Sequence, residues 1–121
     1  MYKLILIFSK VEGVDLDFIE HRWSHEFVPL AETMPGLRLV SISRMNKAIT
    51  PNADIHLIHE LFFDDLDALD AAMRSPEGQQ AGRLLMDFAG ESVQVYFAEH
   101  KEDTPTPAAD KGKTPVEGGP S

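Results

Sequence analysis

The chain has 121 residues, a formal net charge of −9 and no cysteine. That length suits one domain with a real core. The acidity argues against nucleic acid and anionic membranes as partners, and the absence of thiols excludes disulfides, thiolate nucleophiles and Cys-ligated zinc.

The opening stretch, MYKLILIFSK, is apolar but too short to span a bilayer. It lacks the basic head and small-residue cleavage site of a secretory leader, so a cytoplasmic protein is expected. Tyr2 to Ser9 reads as the first strand, with Tyr2, Leu4, Leu6 and Phe8 on one side and Lys3, Ile5, Ile7 and Ser9 on the other. Both sides are apolar at the centre, so both need covering. Gly13 marks the following turn.

Leu16 to Met34 reads as a helix. Leu16, Ile19, Trp23, Phe27, Leu30 and Met34 recur at spacings of three and four, which places them on one face. Asp15 is its expected N-cap. Pro29 should bend it, because proline removes one hydrogen bond of the ladder. Pro35-Gly36 should end it.

Leu37 to Met45 and Ile55 to Phe63 alternate as strands. The second of these separates Ile55, Leu57, His59, Leu61 and Phe63 from His56, Ile58, Glu60 and Phe62. Asp64-Asp65 opens another helix, and Ser75-Pro76-Glu77 restarts it with a cap, a proline at the first position and an acid in the first turn. Val93 to Ala98 is the last strand. From Lys101 the composition turns to Pro and Gly with no aromatic residue, so residues 101–121 are expected to be a disordered acidic tail behind a domain of residues 1–100.

The order is β-α-β-β-α-β, an α+β, ferredoxin-like plan with a four-stranded antiparallel sheet and helices on one face. Its other face must meet something. Tyr2, Leu4, Leu6 and Phe8 with Ile58 and Phe62 would form a large apolar patch, and a second copy placed face to face is its natural cover.

Residues 1 to about 100 resemble the EthD domain family of dimeric α+β barrel proteins. The resemblance is carried by the apolar first strand and its Gly-containing loop, by Arg22-Trp23, Pro29-Leu30 and Met34-Pro35-Gly36-Leu37-Arg38, by Glu60-Leu61-Phe62-Phe63-Asp64, and by Ser75-Pro76-Glu77-Gly78. It implies a homodimer through the sheet face and, in each subunit, a small apolar pocket between sheet and helices. Related proteins include isomerases, cyclases, cofactor-independent monooxygenases and haem-degrading enzymes, so the fold alone does not name a reaction. The family commonly has a His where this chain has Phe27. Polyketide-cyclase relatives place another near the Ser75-Pro76 break, where Glu77, Gly78 and Gln79 stand.

His59 is the remaining candidate acid/base, since it shares its strand side with Leu57, Leu61 and Phe63; the alternative is a core His bonded to a polar neighbour. Trp23, Phe27, Leu61 and Phe63 would shape a site for a small apolar or aromatic molecule, and Arg38 is a candidate for binding an anionic group. Lys3 is expected at the pocket edge, and His56 and Glu60 near the dimer interface. His56 and His59 differ in parity and cannot share an ion without a bulge, so no metal site is expected at His56, His59 and Glu60; no cofactor is expected, with haem on an axial His in the pocket as a third possibility. Two functions compete: a cofactor-independent enzyme of oxidoreductase, lyase or isomerase type, and a non-catalytic ligand-binding or accessory protein.

Overall fold

The computed structural model describes residues 1–106; the expected tail lies largely outside the described residues. The elements are β1 (Tyr2–Ser9), α1 (Leu16–Arg22), a π-helical turn (Trp23–Phe27), α2 (Val28–Ala31), β2 (Leu39–Arg44), β3 (Ile55–Phe63), α3 (Leu66–Arg74), α4 (Pro76–Ala89) and β4 (Val93–Glu99). Among the described residues the four strands form one antiparallel sheet in the order β2-β3-β1-β4. This is the ferredoxin-like plan. The doubly apolar β1 sits inside the sheet between β3 and β4.

The register decides which row meets the helices. Leu4 lies opposite Leu61, Leu6 opposite His59 and Phe8 opposite Leu57. Directly opposed residues share a side of the sheet, and all six are buried in the core with Ile19, Trp23, Phe27 and Leu85. The expected association patch therefore needs correcting. Tyr2, Leu4, Leu6 and Phe8 belong to the helix-covered side, while the open side carries Lys3, Ile5 and Ile7 beside Ile58, Glu60 and Phe62. Alternation along one strand shows which residues travel together, but only pairing with β3 shows which way they point. Lys3 moves with its row: it is paired with Glu60 at 2.7 Å on the open side and is not at a pocket edge.

His56 also departs from expectation. Phe8 opposes Leu57 and Ser9 opposes Ile55, so His56 is an extra residue in the β1–β3 ladder. Such a bulge re-aims a side chain. His56 Nε2 lies 3.0 Å from Glu20 of α1 rather than beside Glu60, and Arg44 of β2 donates to the same Glu20 oxygen. The Arg44 hydrogen bond holds the Glu20 carboxyl below its usual range.

Asp15 caps α1 as its sequence suggests, accepting from the Asp17 amide at 3.0 Å. The helix expected beyond it runs on without a break, but as α1, a π turn and α2, and it ends at Ala31 instead of Met34. The Val28 amide bonds the Trp23 carbonyl five residues back. The reason lies in the spacing of the buried residues, Ile19, Trp23, Phe27 and Ala31. Four-residue steps on an ideal α-helix drift by about 40° each, or about 120° over three steps. A turn holding one extra residue swings the face back toward the sheet. After Ala31 the chain turns through Gly36, whose φ of +81° suits glycine.

Ser75 makes the corner between α3 and α4. Its hydroxyl donates to the Ala72 carbonyl at 2.6 Å and accepts from the Gly78 amide at 3.0 Å. A Cβ on Gly78 would stand 2.0 Å from the Ala72 carbonyl oxygen, whereas one on Gly82 would meet nothing within 4 Å among the described residues. We therefore expect Gly78→Ala to cost roughly 1–3 kcal/mol through a forced backbone shift. Gly82→Ala should gain roughly 0.5–1 kcal/mol from helix propensity. Urea unfolding of the two variants checks this; equal stabilities would contradict the packing described here.

Candidate functional site

The helices do not close fully over the sheet. A cavity of about 560 Å³ lies between α4 and the sheet, near the β1–β4 side. Leu4 and Leu6 of β1, Leu61 of β3 and Val95 of β4 line it from the sheet, and Phe27 and Met34 from the first helical region. On α4 the lining residues include Gly78, Ala81, Gly82 and Leu85. Spacings of three and four put these on one helix face. Gly82 is what leaves the space: a Leu at position 82 would project where no atom of the described residues now lies. Arg83 is the single charged residue in the lining, and its side chain is exposed at the mouth.

His59 is fully buried behind this wall, with 0% exposure. It does not line the cavity, but its cross-strand partner Leu6 does, as does Phe27, whose ring centroid is 5.9 Å away and nearly perpendicular. The Trp23 indole Nε1–H donates to His59 Nδ1 at 3.1 Å. An indole nitrogen only donates, so Nδ1 must accept and the proton of the neutral ring sits on Nε2. That Nε2 is buried and has no hydrogen-bond partner among the described residues. Burial lowers the His59 pKa to about 4, because the charged ring would be stripped of water. Near neutral pH the site thus holds a neutral imidazole with its basic nitrogen occupied and one N–H to spare.

The EthD domain pattern matches residues 11–89. The chain belongs to the EthD domain family. An EthD family protein from Bacillus halodurans is 29% identical, with a TM-score of 0.77 over 84% of this chain and 99% of that one. A dimeric ferredoxin-like protein of unknown function from Jannaschia is 23% identical (TM-score 0.56; 82% of this chain, 97% of that one). SnoaB, a cofactor-independent oxygenase from Streptomyces nogalater, is 14% identical (TM-score 0.59; 87% and 97%) and shares the fold.

In this EthD domain Phe27, where the resemblance leads one to look for a His, forms part of the cavity wall. His25 is exposed and stacked on His21 at 4.2 Å, away from the cavity. Of the other residues singled out from the sequence, Leu61 lines the cavity. Trp23 is buried beside His59, and Phe63 is buried in the core outside the lining. Arg38 is exposed and lies 3.4 Å from Asp64. The α4 contribution was not anticipated, although its signal, small residues at 78, 81 and 82, is present in the sequence. Among the described residues no cluster of His, Cys, Asp and Glu could hold a metal ion.

The burial of His59 has a thermodynamic consequence of definite sign. Its folded pKa of about 4 lies below the ordinary 6.5. Above pH 6.5 neither state is protonated there, and the contribution to stability is complete. As pH falls from 6.5 toward 4 the unfolded chain takes up a proton that the folded chain refuses, so stability falls. Through this group, urea unfolding should lose about 2 kcal/mol between about pH 7 and pH 5. His59→Leu should lose that part of the pH slope; an unchanged slope would place the titration elsewhere.

Proposed function

We propose that this EthD protein binds a small apolar or aromatic compound in the cavity under α4. In this reading it acts as a cofactor-independent enzyme in which His59 donates a hydrogen bond to a substrate oxygen. The observation that carries the proposal is the orphan Nε2–H of His59 beside an almost wholly apolar cavity. An unmade bond on a buried polar group costs on the order of 1–3 kcal/mol. A carbonyl or enolate oxygen would reach that N–H only with the Leu6 and Phe27 side chains of the wall displaced; it would then recover this cost, and the bond strengthens as negative charge develops on the oxygen. Donation by a neutral ring polarises the substrate without transferring the proton. The ring would become a base only by giving up its bond to Trp23. A cavity of this size falls within the range of small-molecule sites, roughly 300–1,000 Å³.

A second reading is a non-catalytic binding protein. The lining favours it: among the described residues Arg83 is the only ionisable side chain there, and an arginine is a poor general acid or base. The two separate on one measurement. With a turned-over substrate in hand, His59→Leu should reduce kcat by tenfold or more, in the range expected for a lost oxyanion-type donor, while binding persists. Full turnover in the variant would remove His59 from the chemistry, and an aromatic ligand that the wild type binds but never turns over would leave binding as the function. For either reading, Gly82→Leu should fill the cavity and abolish the thermal shift produced by an aromatic ligand.

The working unit in this proposal is a homodimer. Support comes from the open side of the sheet, where Ile5, Ile7 and Ile58 are only half-buried and Leu39 and Tyr96 are exposed. The Jannaschia neighbour, itself dimeric, adds to that support. Light scattering should give twice the chain mass at micromolar concentration, and Ile7→Lys should shift it to a monomer. A wild-type monomer would overturn the assembly.

A further inference from the structure

We infer that the ligand is an amphiphilic anion: an apolar body in the cavity, with one carboxylate held at the mouth by Arg83. This rests on the cavity being a ligand site, as proposed above, and adds the ligand's charge. The chain has five arginines. Arg22, Arg38 and Arg44 each face a carboxylate. Arg74 ends α3, where its charge offsets the negative pole of that helix. Arg83 has neither role. It stands in the middle of α4, forms no ion pair among the described residues (Asp87, one turn on, is held by Arg22), and lines an otherwise apolar cavity.

A guanidinium presents a planar fork of donors that matches a carboxylate in two parallel bonds. Beside it, the missing side chain of Gly82 leaves room for a bulky apolar group to pass between α4 and Leu6. The net charge of −9 does not forbid an anion here. Among the described residues no Asp or Glu lines the cavity, the nearby Asp87 carboxylate is taken by Arg22, and exposed charges farther off than about 8 Å are largely screened at physiological ionic strength. The local guanidinium therefore sets the sign of the mouth.

The test is calorimetric titration of the whole chain with naphthoate and with naphthamide, which share a body and differ in charge. The wild type should bind naphthoate about three- to tenfold more tightly, with the preference shrinking as salt is raised. Arg83→Gln should erase the preference while leaving naphthamide affinity as it was. Equal binding of the two probes by the wild type, or a preference that survives Arg83→Gln, would overturn the assignment of charge and leave the cavity as an apolar site. If neither probe binds, or if binding is indifferent to Gly82→Leu, the cavity is not their site and both inferences fall together.

Discussion

The hydrogen bond from Trp23 to His59 is the constraint on which the rest of the site depends. It joins the first helical region to a central strand across the core, and it can form only if the Trp23 face stays turned toward the sheet. The π turn that starts at Trp23 keeps Phe27 and Ala31 on that same buried face. Once formed, the bond sets the tautomer of His59 and leaves its free N–H on the far side of the ring. A buried polar pair of this kind contributes only about 1 kcal/mol net, yet removing one partner leaves the other unsatisfied at a larger cost. Around it, Phe8 meets the Trp23 ring edge-on at 6.5 Å and the Arg44 guanidinium lies 5.6 Å from it. The His56–Glu20–Arg44 cluster thereby touches the same indole. Helix, bulge and central strand are thus tied to one ring.

The cavity has a separate origin, in α4. Gly78 is required by the close approach of α3, where a Cβ would run into the Ala72 carbonyl. Gly82, one turn further, meets nothing and so opens space instead of relieving a clash. One short stretch thus makes the helix corner and leaves the room beneath it. Glycine within a helix costs roughly 0.5–1 kcal/mol relative to alanine, and a site needing access to the sheet accounts for that cost. The apolar lining and the neutral ring behind it are consistent with each other: a charged imidazole there would lack both water and counterion.

Much of the fold was legible because it rests on local chemistry. The alternation from Leu57 to Phe63, the Asp15 and Ser75 caps and the turn at Gly36 all act within a few residues, and the structure carries each of them, although the helix itself ends at Ala31. The features that were not legible involve two elements at once. Whether Leu4 or Ile5 faces the helices depends on pairing with β3. Where His56 points depends on one surplus residue in that same ladder. The π turn left a trace in the four-residue spacing of Ile19, Trp23, Phe27 and Ala31, but that spacing acquires meaning only against a sheet the helix must follow.

The sequence alone determined the order of elements, the helix starts at Asp15, Asp65 and Ser75, the family and the side of β3 on which His59 lies, because these follow from periodicity, capping and motif spacing along one chain. The tertiary structure decided which side of β1 is core, which nitrogen of His59 is free, and that α4 lines the cavity together with Phe27 and Leu61. Each of those depends on contacts between residues far apart in sequence, and such contacts are set only when the packed elements compete for the same interior.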